Sequence, residues 1–236
     1  MRVLIVENMN NTSWGQVGVA LSEAGAEVDL VSARQGAELP SHDDYDGLVV
    51  FGGEQTAVDD EIHPYLPKLA ALMGVFGDHD KPVLGICLGS QLLARAHGAA
   101  NLIGQAREFG WKQMQRTEAA ADDPVLSVAP DSFSSFQWHG DTFSLPDGAV
   151  RLAQNATTPN QCFRIGRASY GMQFHFEASR TVIEEWNAQF PQLIGVLDPD
   201  WLSAYPARAA TEGAEADNVG LDIARAWVSL IRSSKA

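Results

Sequence analysis

Short apolar runs alternate with segments of helical periodicity through the first half of the chain. Residues 2–7 (Arg-Val-Leu-Ile-Val-Glu), 26–31, 47–51 and 81–86 read as strands. The intervening spacing predicts helices over 14–24, stopped at Gly25, over 64–76, where Pro64 and Pro67 fall within the first turn, and over 88–97, ended by Gly98. This alternation is the signature of a parallel sheet covered on both faces. Beyond about residue 111 the pattern changes to closely spaced short strands, at 132–138, 149–154, 161–165 and 170–174, with turn residues between them. Such spacing favours antiparallel additions and hairpins. Residues 179–190 resume a helical pattern, and 207–218, rich in Ala, Glu, Gly and Asp, read as a loop or mobile connector. A terminal helix over 221–231 can dock through Ile223, Trp227 and Leu230. The expectation is an α/β fold, with a central, mostly parallel sheet flanked by helices and antiparallel strands added in the second half. One domain spans 1–236, and 200–236 is its C-terminal extension.

Composition narrows the function classes. The chain has 236 residues, 45% of them hydrophobic, which is enough for one large packed core. Its formal charge of −14 argues against a nucleic-acid partner, because phosphate binding relies on lysine and arginine releasing counterions. Acidic excess of this kind reports a solvated surface. The apolar start, 1–6, is followed at once by Glu7, Asn8 and Asn10, too short for a signal-peptide core, and no uninterrupted apolar stretch reaches the roughly 18 residues of a membrane span. Only two cysteines occur, Cys87 and Cys162, so a reducing compartment is expected and a disulfide framework is not. These features predict a soluble cytoplasmic protein that engages neither membrane nor nucleic acid.

The chemistry concentrates in two segments. Cys87 sits in Gly85-Ile86-Cys87-Leu88-Gly89-Ser90-Gln91, directly after a predicted strand and before a predicted helix. A lone buried cysteine is usually a small core hydrophobe. Flanking glycines change that balance, because a strand-to-helix elbow holds its nucleophile in a strained backbone conformation and leaves no room for side chains beside it. The helix N-terminus favours thiolate over thiol. Downstream, Tyr170-Gly171-Met172-Gln173-Phe174 leads into His175-Phe176-Glu177. His175 can serve as base, and Glu177, on the same face of an extended segment, can orient the imidazole. Chain order is free to vary among convergent triads. Gly52-Gly53 follows a strand parallel to the elbow strand, so its loop emerges at the same sheet edge. Gly53 and Leu88 N–H are the expected oxyanion donors, the alternative being that Gly52-Gly53 is only a tight turn.

Together these motifs resemble the class I glutamine amidotransferases, the Cys-His-Glu glutaminases. The likeness runs from about residue 47 to 179 and rests on two patterns. Gly85, Cys87, Gly89 and Gln91 fill Gly-x-Cys-x-Gly-x-Gln, and Gly171, Gln173, His175 and Glu177 fill Gly-x-Gln-x-His-x-Glu. It implies a flavodoxin-like fold and a substrate contact for Gln91. The stretches 107–111, 138–146 and 159–163 resemble the stand-alone, GMP-synthase-like branch, and Trp138, His139 and Asp141 are expected to order a loop near the site. His139 and Asp141 lack a third and fourth ligand at metal-binding spacing, so neither a metal nor a cofactor is expected. Two positions depart from the family pattern: Phe176 stands where many members have proline, and Glu54 follows the Gly-Gly pair where proline is common.

The resemblance implies attack by Cys87 on the γ-carbonyl of glutamine or a γ-glutamyl amide, a thioester, and its hydrolysis with His175 as acid and then base. An acceptor-activating domain has no room in this chain, and no phosphate-binding Gly-x-x-x-x-Gly-Lys-Ser/Thr occurs. Three roles therefore stay open: an independent hydrolase of γ-glutamyl compounds, a glutaminase subunit delivering ammonia to a synthetase partner, and a non-catalytic binding or regulatory protein. The intact triad argues against the third.

Overall fold

In a computed structural model of the chain, which describes residues 1–10 and 12–231, the apolar run Val3-Leu4-Ile5-Val6 is fully buried, with alternate side chains entering two different apolar layers. Both faces of its sheet are therefore covered. Strands β1 (Arg2–Glu7), β2 (Glu27–Ser32), β3 (Gly47–Val50) and β4 (Val83–Ile86) pair in parallel and alternate with helices α1 (Gly15–Glu23), α2 (Leu66–Asp78) and α3 (Leu88–Ala96). The second half contributes β5 (Asn101–Leu102), β6 (Glu108–Arg116), β7 (Ser132–His139), β8 (Thr142–Phe143), β9 (Val150–Gln154), β10 (Cys162–Ile165) and β11 (Ser169–Met172). Four more helices follow: α4 (Arg180–Gln189), α5 (Pro191–Leu197), α6 (Trp201–Arg208) and α7 (Ala214–Val228).

Nine of these strands form one sheet in the order β2-β1-β3-β4-β11-β10-β9-β6-β7, while β5 and β8 pair separately. The first half is thus the mixed α/β arrangement that the alternating pattern predicts. The second half differs in one respect that positions the site. Strand β11 is not only a hairpin partner of β10. Its other edge lies parallel to β4, with Met172 opposite Ile86. The sheet therefore stays parallel through five strands before β10, β9, β6 and β7 continue it antiparallel.

On one face, Val17 and Leu21 of α1 and Ile223 and Trp227 of α7 cover Val3, Ile5 and Val49; on the other, Leu69 and Met73 of α2 and Leu92 and Leu93 of α3 cover Leu4, Val6 and Leu48. A third apolar cluster, built on Phe109, Trp111 and Phe136, is roofed by Val182, Ile183, Ile194, Trp201 and Tyr205. The expected loop at 207–218 is instead the end of α6, a π-helical turn over Ala209–Gly213, and the start of α7. The physical reason is contact that composition does not reveal. Gly213 lets the turn approach the Trp111 indole, where an added Cβ would lie 2.7 Å from Cζ2, and Asp217 binds the Arg180 backbone N–H and guanidinium. Trp201 is fully buried and its Nε1–H donates to Asn187 Oδ1 at 2.8 Å, so it belongs to the packed interior. Residues 232–236 of the expected extension lie outside the described residues.

Candidate active site

The local sequence around Cys87 forces the chain into a sharp corner. Cys87 has φ +52 and ψ −109, a backbone region that costs a non-glycine residue about 1–3 kcal/mol and persists only when its surroundings enforce it. They do so through the two flanking glycines. A Cβ on Gly85 would lie 2.3 Å from the Gly89 carbonyl oxygen, and one on Gly89 would lie 2.1 Å from the Val50 carbonyl oxygen. Strand β4, helix α3 and strand β3 meet here at backbone distance. Cys87 N–H donates to Met172 O at 2.8 Å, which ties the corner to β11, and Ser90 Oγ–H donates to Cys87 O at 2.6 Å. Leu88 begins α3, so its N–H has no acceptor within the helix.

Because β4 and β11 are parallel neighbours in register, the chain leaving Met172 runs alongside the elbow. It brings His175 and Glu177 to the carboxyl edge of the sheet, where Cys87 sits. Both residues are buried, and His175 N–H donates to Phe136 O at 2.8 Å. His175 Nδ1–H donates to Glu177 Oε1 at 2.8 Å; a carboxylate can only accept, which fixes the proton on Nδ1 and leaves Nε2 for the sulfur. Gly52 marks the point the groups share. A Cβ there would stand 3.3 Å from His175 Cε1 and 3.9 Å from Cys87 Sγ. Burial opposes charging of His175, yet the Glu177 carboxylate and the Cys87 sulfur outweigh it and raise its pKa. The imidazolium is therefore the favoured form beside the sulfur.

Backbone contacts from both ends of the chain pin the 176–177 segment. Gln16 N–H donates to Glu177 O at 2.9 Å, and Gly15, at φ +45, allows that approach, since its Cβ would overlap the Glu177 carbonyl oxygen. Gly220 of α7 meets the Phe176 carbonyl oxygen in the same way, with a Cβ distance of 2.1 Å. Phe176 itself is core, packed edge-on against Phe174.

A cavity of about 290 Å³ opens over Cys87, His175 and Glu177. It is lined by Phe51, Gly52, Gly53 and Glu54, and by Met9, Asn10, Thr12 and Ser13 of the loop after β1. Trp138, Trp186, Gln189, Phe190 and Leu193 complete the lining. Gly53 is in the wall, and its lack of a side chain is a packing requirement, because a Cβ would lie 2.4 Å from Gln55 Oε1 and 2.7 Å from Asn8 Cβ. Gly52 and Gly53 both line the cavity directly after β3.

Gln91 is buried and is not among the residues that line the cavity; its Nε2–H groups donate to Gln173 Oε1 at 3.2 Å and to Asp141 O at 3.4 Å. The same Asp141 carbonyl lies 2.9 Å from His139 Nδ1, while His139 Nε2 lies 3.3 Å from Glu108 Oε2. Asp141 Oδ1 accepts from Gly104 N–H at 2.7 Å. His139 and Asp141 thus tie down the loop after β7 through the Asp141 carbonyl and carboxylate. Glu108 also accepts from Asn155, Thr158 and Gln161. Burial raises its carboxyl pKa, but His139, Thr158 and Asn155 prevail and hold it below the usual carboxylate value.

The motifs pointed to Trp138 but missed Trp186, Phe190 and Leu193. Their spacing of four and three residues is the stripe of an ordinary amphipathic helix, which reads as core. The polar run 8–13 carried a weak signal, since loops at the carboxyl ends of parallel strands are where α/β folds bind ligands.

The model of the family described as class I glutamine amidotransferase matches residues 12–188, a span that includes both the elbow at Cys87 and the His175–Glu177 segment. The chain belongs to that family. It is 32% identical over 188 residues to a glutamine amidotransferase-like protein of Salmonella typhimurium, covering 78% of this chain and 79% of the relative. It is 31% identical over 183 residues to a subunit of the glutamine-hydrolysing GMP synthase of Thermoplasma volcanium, covering 77% and 85%. Among solved structures, a glutamine amidotransferase from Thermotoga maritima aligns with a TM-score of 0.82 at 27% identity over 99% of each chain. Membership carries amide hydrolysis of glutamine as the general chemistry. Among the described residues, no helix is long and apolar enough to cross a membrane.

Proposed function

We propose that this glutamine amidotransferase hydrolyses the γ-amide of glutamine or of a γ-glutamyl amide through a covalent thioester on Cys87. The observation that supports it best is the shared gap at Gly52, faced by Cys87 Sγ and by an imidazole whose Nδ1 is held 2.8 Å from Glu177. Cys87 Sγ attacks the γ-carbonyl carbon. The Leu88 and Gly53 N–H groups receive the oxyanion, and His175 gives its proton to the departing nitrogen as the C–N bond breaks. Water then attacks the thioester. His175 takes the water's proton, glutamate leaves, and the sulfur is restored. Glu177 holds the imidazole in the working tautomer and stabilises its charged form. Gln91 supports the first turns of α3 through Gln173 and Asp141. A reduced thiol is required throughout, which fits a cytoplasmic setting.

The test is glutamate release by the purified chain and by Cys87→Ala. Loss of turnover in a variant with an unchanged melting temperature is expected; release at the parental rate by folded Cys87→Ala overturns the mechanism. The likeness to a GMP synthase subunit favours a second reading, in which the ammonia passes to a separate synthetase. Substantial turnover by the chain alone supports the independent hydrolase. Turnover that appears only when an ATP-using partner co-purifies or is added supports the synthetase-coupled role.

A further inference from the structure

We propose that the preferred substrate is a γ-glutamyl amide whose amine carries an apolar, planar substituent, and that Trp186, Trp138 and Phe190 form the subsite for that substituent. The proposal rests on the mechanism above, which fixes the orientation of the substrate. The departing nitrogen must lie on the side of His175, because His175 protonates it, while the acyl oxygen points to the amides of Gly53 and Leu88.

The cavity lining combines two chemistries. Asn10, Thr12, Ser13 and Glu54 are polar groups suited to the charged head of a glutamyl moiety, with Arg34 against Glu54 at 3.2 Å. Next to His175 stands an aromatic wall. The Trp186 ring lies 5.4 Å from the His175 ring, nearly perpendicular to it; Trp138 packs edge-on against Trp186 at 5.6 Å and against Phe190 at 5.8 Å. All three rings line the cavity and are only partly buried, so each keeps a face open to whatever enters. Leu193, half exposed, extends the apolar surface to the rim.

Ammonia has no apolar surface, so as a leaving group it gains nothing from such a wall. An aromatic or branched apolar amine does gain, by removing its own surface and that of the rings from water and by edge-to-face contact. Burial realised beside the scissile bond also helps to hold the amide nitrogen under the imidazole. The reaction balances as hydrolysis: one water is consumed, the C–N bond is broken, and glutamate and a free amine are released.

Three amides separate the contributions: glutamine, γ-glutamylmethylamide and γ-glutamylbenzylamide. The last two release primary alkylamines and differ in the ring, and glutamate is the common product assayed. The expected result is a kcat/KM for the benzylamide about tenfold or more above that for the methylamide, the order produced when a ring face leaves water. Phe190→Ala and Trp186→Leu should bring the benzyl-to-methyl ratio towards one, a readout that a general loss of activity does not move. Turnover that depends on Cys87 but is equal for all three amides, or best for glutamine, overturns this proposal and leaves the mechanism standing. An unchanged ratio in both wall variants also overturns it. Absence of Cys87-dependent turnover on every amide sinks the mechanism and this proposal with it.

Discussion

Gly52→Ala places one methyl group between Cys87 and His175, the nucleophile and base of the proposed mechanism, and the backbone fixes where it goes. The new carbon stands 3.3 Å from His175 Cε1, 3.4 Å from Cys87 Cβ and 3.9 Å from Cys87 Sγ. None of these neighbours is backbone, so the folded state yields by a few tenths of an ångström at a cost of about 1 kcal/mol. Replacing glycine also narrows the unfolded ensemble, which offsets about 0.4–1 kcal/mol. Net stability should change little. Catalysis should not survive as well. The acyl carbon must come within about 3–3.5 Å of the sulfur, while non-bonded carbons need about 3.5–4.0 Å between them. A methyl touching both reactive groups therefore pushes the acyl carbon aside by about 1 Å, which costs about 10²-fold in kcat/KM, or about 2.7 kcal/mol. Glutamate release and a thermal melt on the same preparation measure the two effects, and alkylation of Cys87 by iodoacetamide checks that the thiol is still reachable. A folded Gly52→Ala protein with parental kcat/KM would show that the scissile carbon does not occupy this gap. Gly85→Ala makes the opposite case, because its Cβ meets the Gly89 carbonyl oxygen at 2.3 Å and folding fails first.

Glu177→Gln keeps the shape of the side chain but removes the charge that favours the imidazolium, so kcat should fall by about 10²- to 10⁴-fold in a steady-state assay while the fold persists. The stability that Glu177 confers through His175 should depend on pH. The folded-state pKa of His175 is raised, to about 10, so this contribution is complete below the ordinary histidine value of 6.5 and disappears as pH climbs through the folded value. Urea denaturation should accordingly show the gap between parent and Glu177→Gln shrinking from pH 6 to pH 10; a gap that widens refutes the assignment. Gly220→Ala, outside the cavity lining, should lower both melting temperature and kcat, because its methyl displaces the Phe176 carbonyl and with it Glu177; an active, equally stable variant contradicts that coupling.

The elbow and the His-x-Glu segment were legible because their chemistry is local: glycine at 85 and 89 is demanded by backbone contacts that any such corner makes, and residues 175 and 177 are close in sequence, although the extended segment expected there is a turn after β11 ends at Met172. The parallel first half was legible from its alternation of strand and helix. The insertion of β11 beside β4 was not, since pairing between residues 83–86 and 169–172 is a tertiary choice and the short run Ser169–Met172 has the same pattern in either direction. Helix over 209–218 was hidden for a related reason. Gly213 reads as a breaker until Trp111 is seen filling the space beside it. The aromatic wall was hidden by degeneracy, because Trp186, Phe190 and Leu193 have the spacing of core residues whether they face a core or a cavity.

The late strand in the middle of the sheet bears on how the protein is made. While a ribosome is still adding residues before 169, β4 has no neighbour on its β11 edge, the Cys87 amide has no Met172 carbonyl to bind, and neither histidine nor glutamate has been synthesised to join the thiol. Under the proposed mechanism a chain without that segment has neither the base nor its orienting carboxylate, and an uncovered strand edge of this kind favours association. Docking of the one segment both closes the edge and completes the proposed triad.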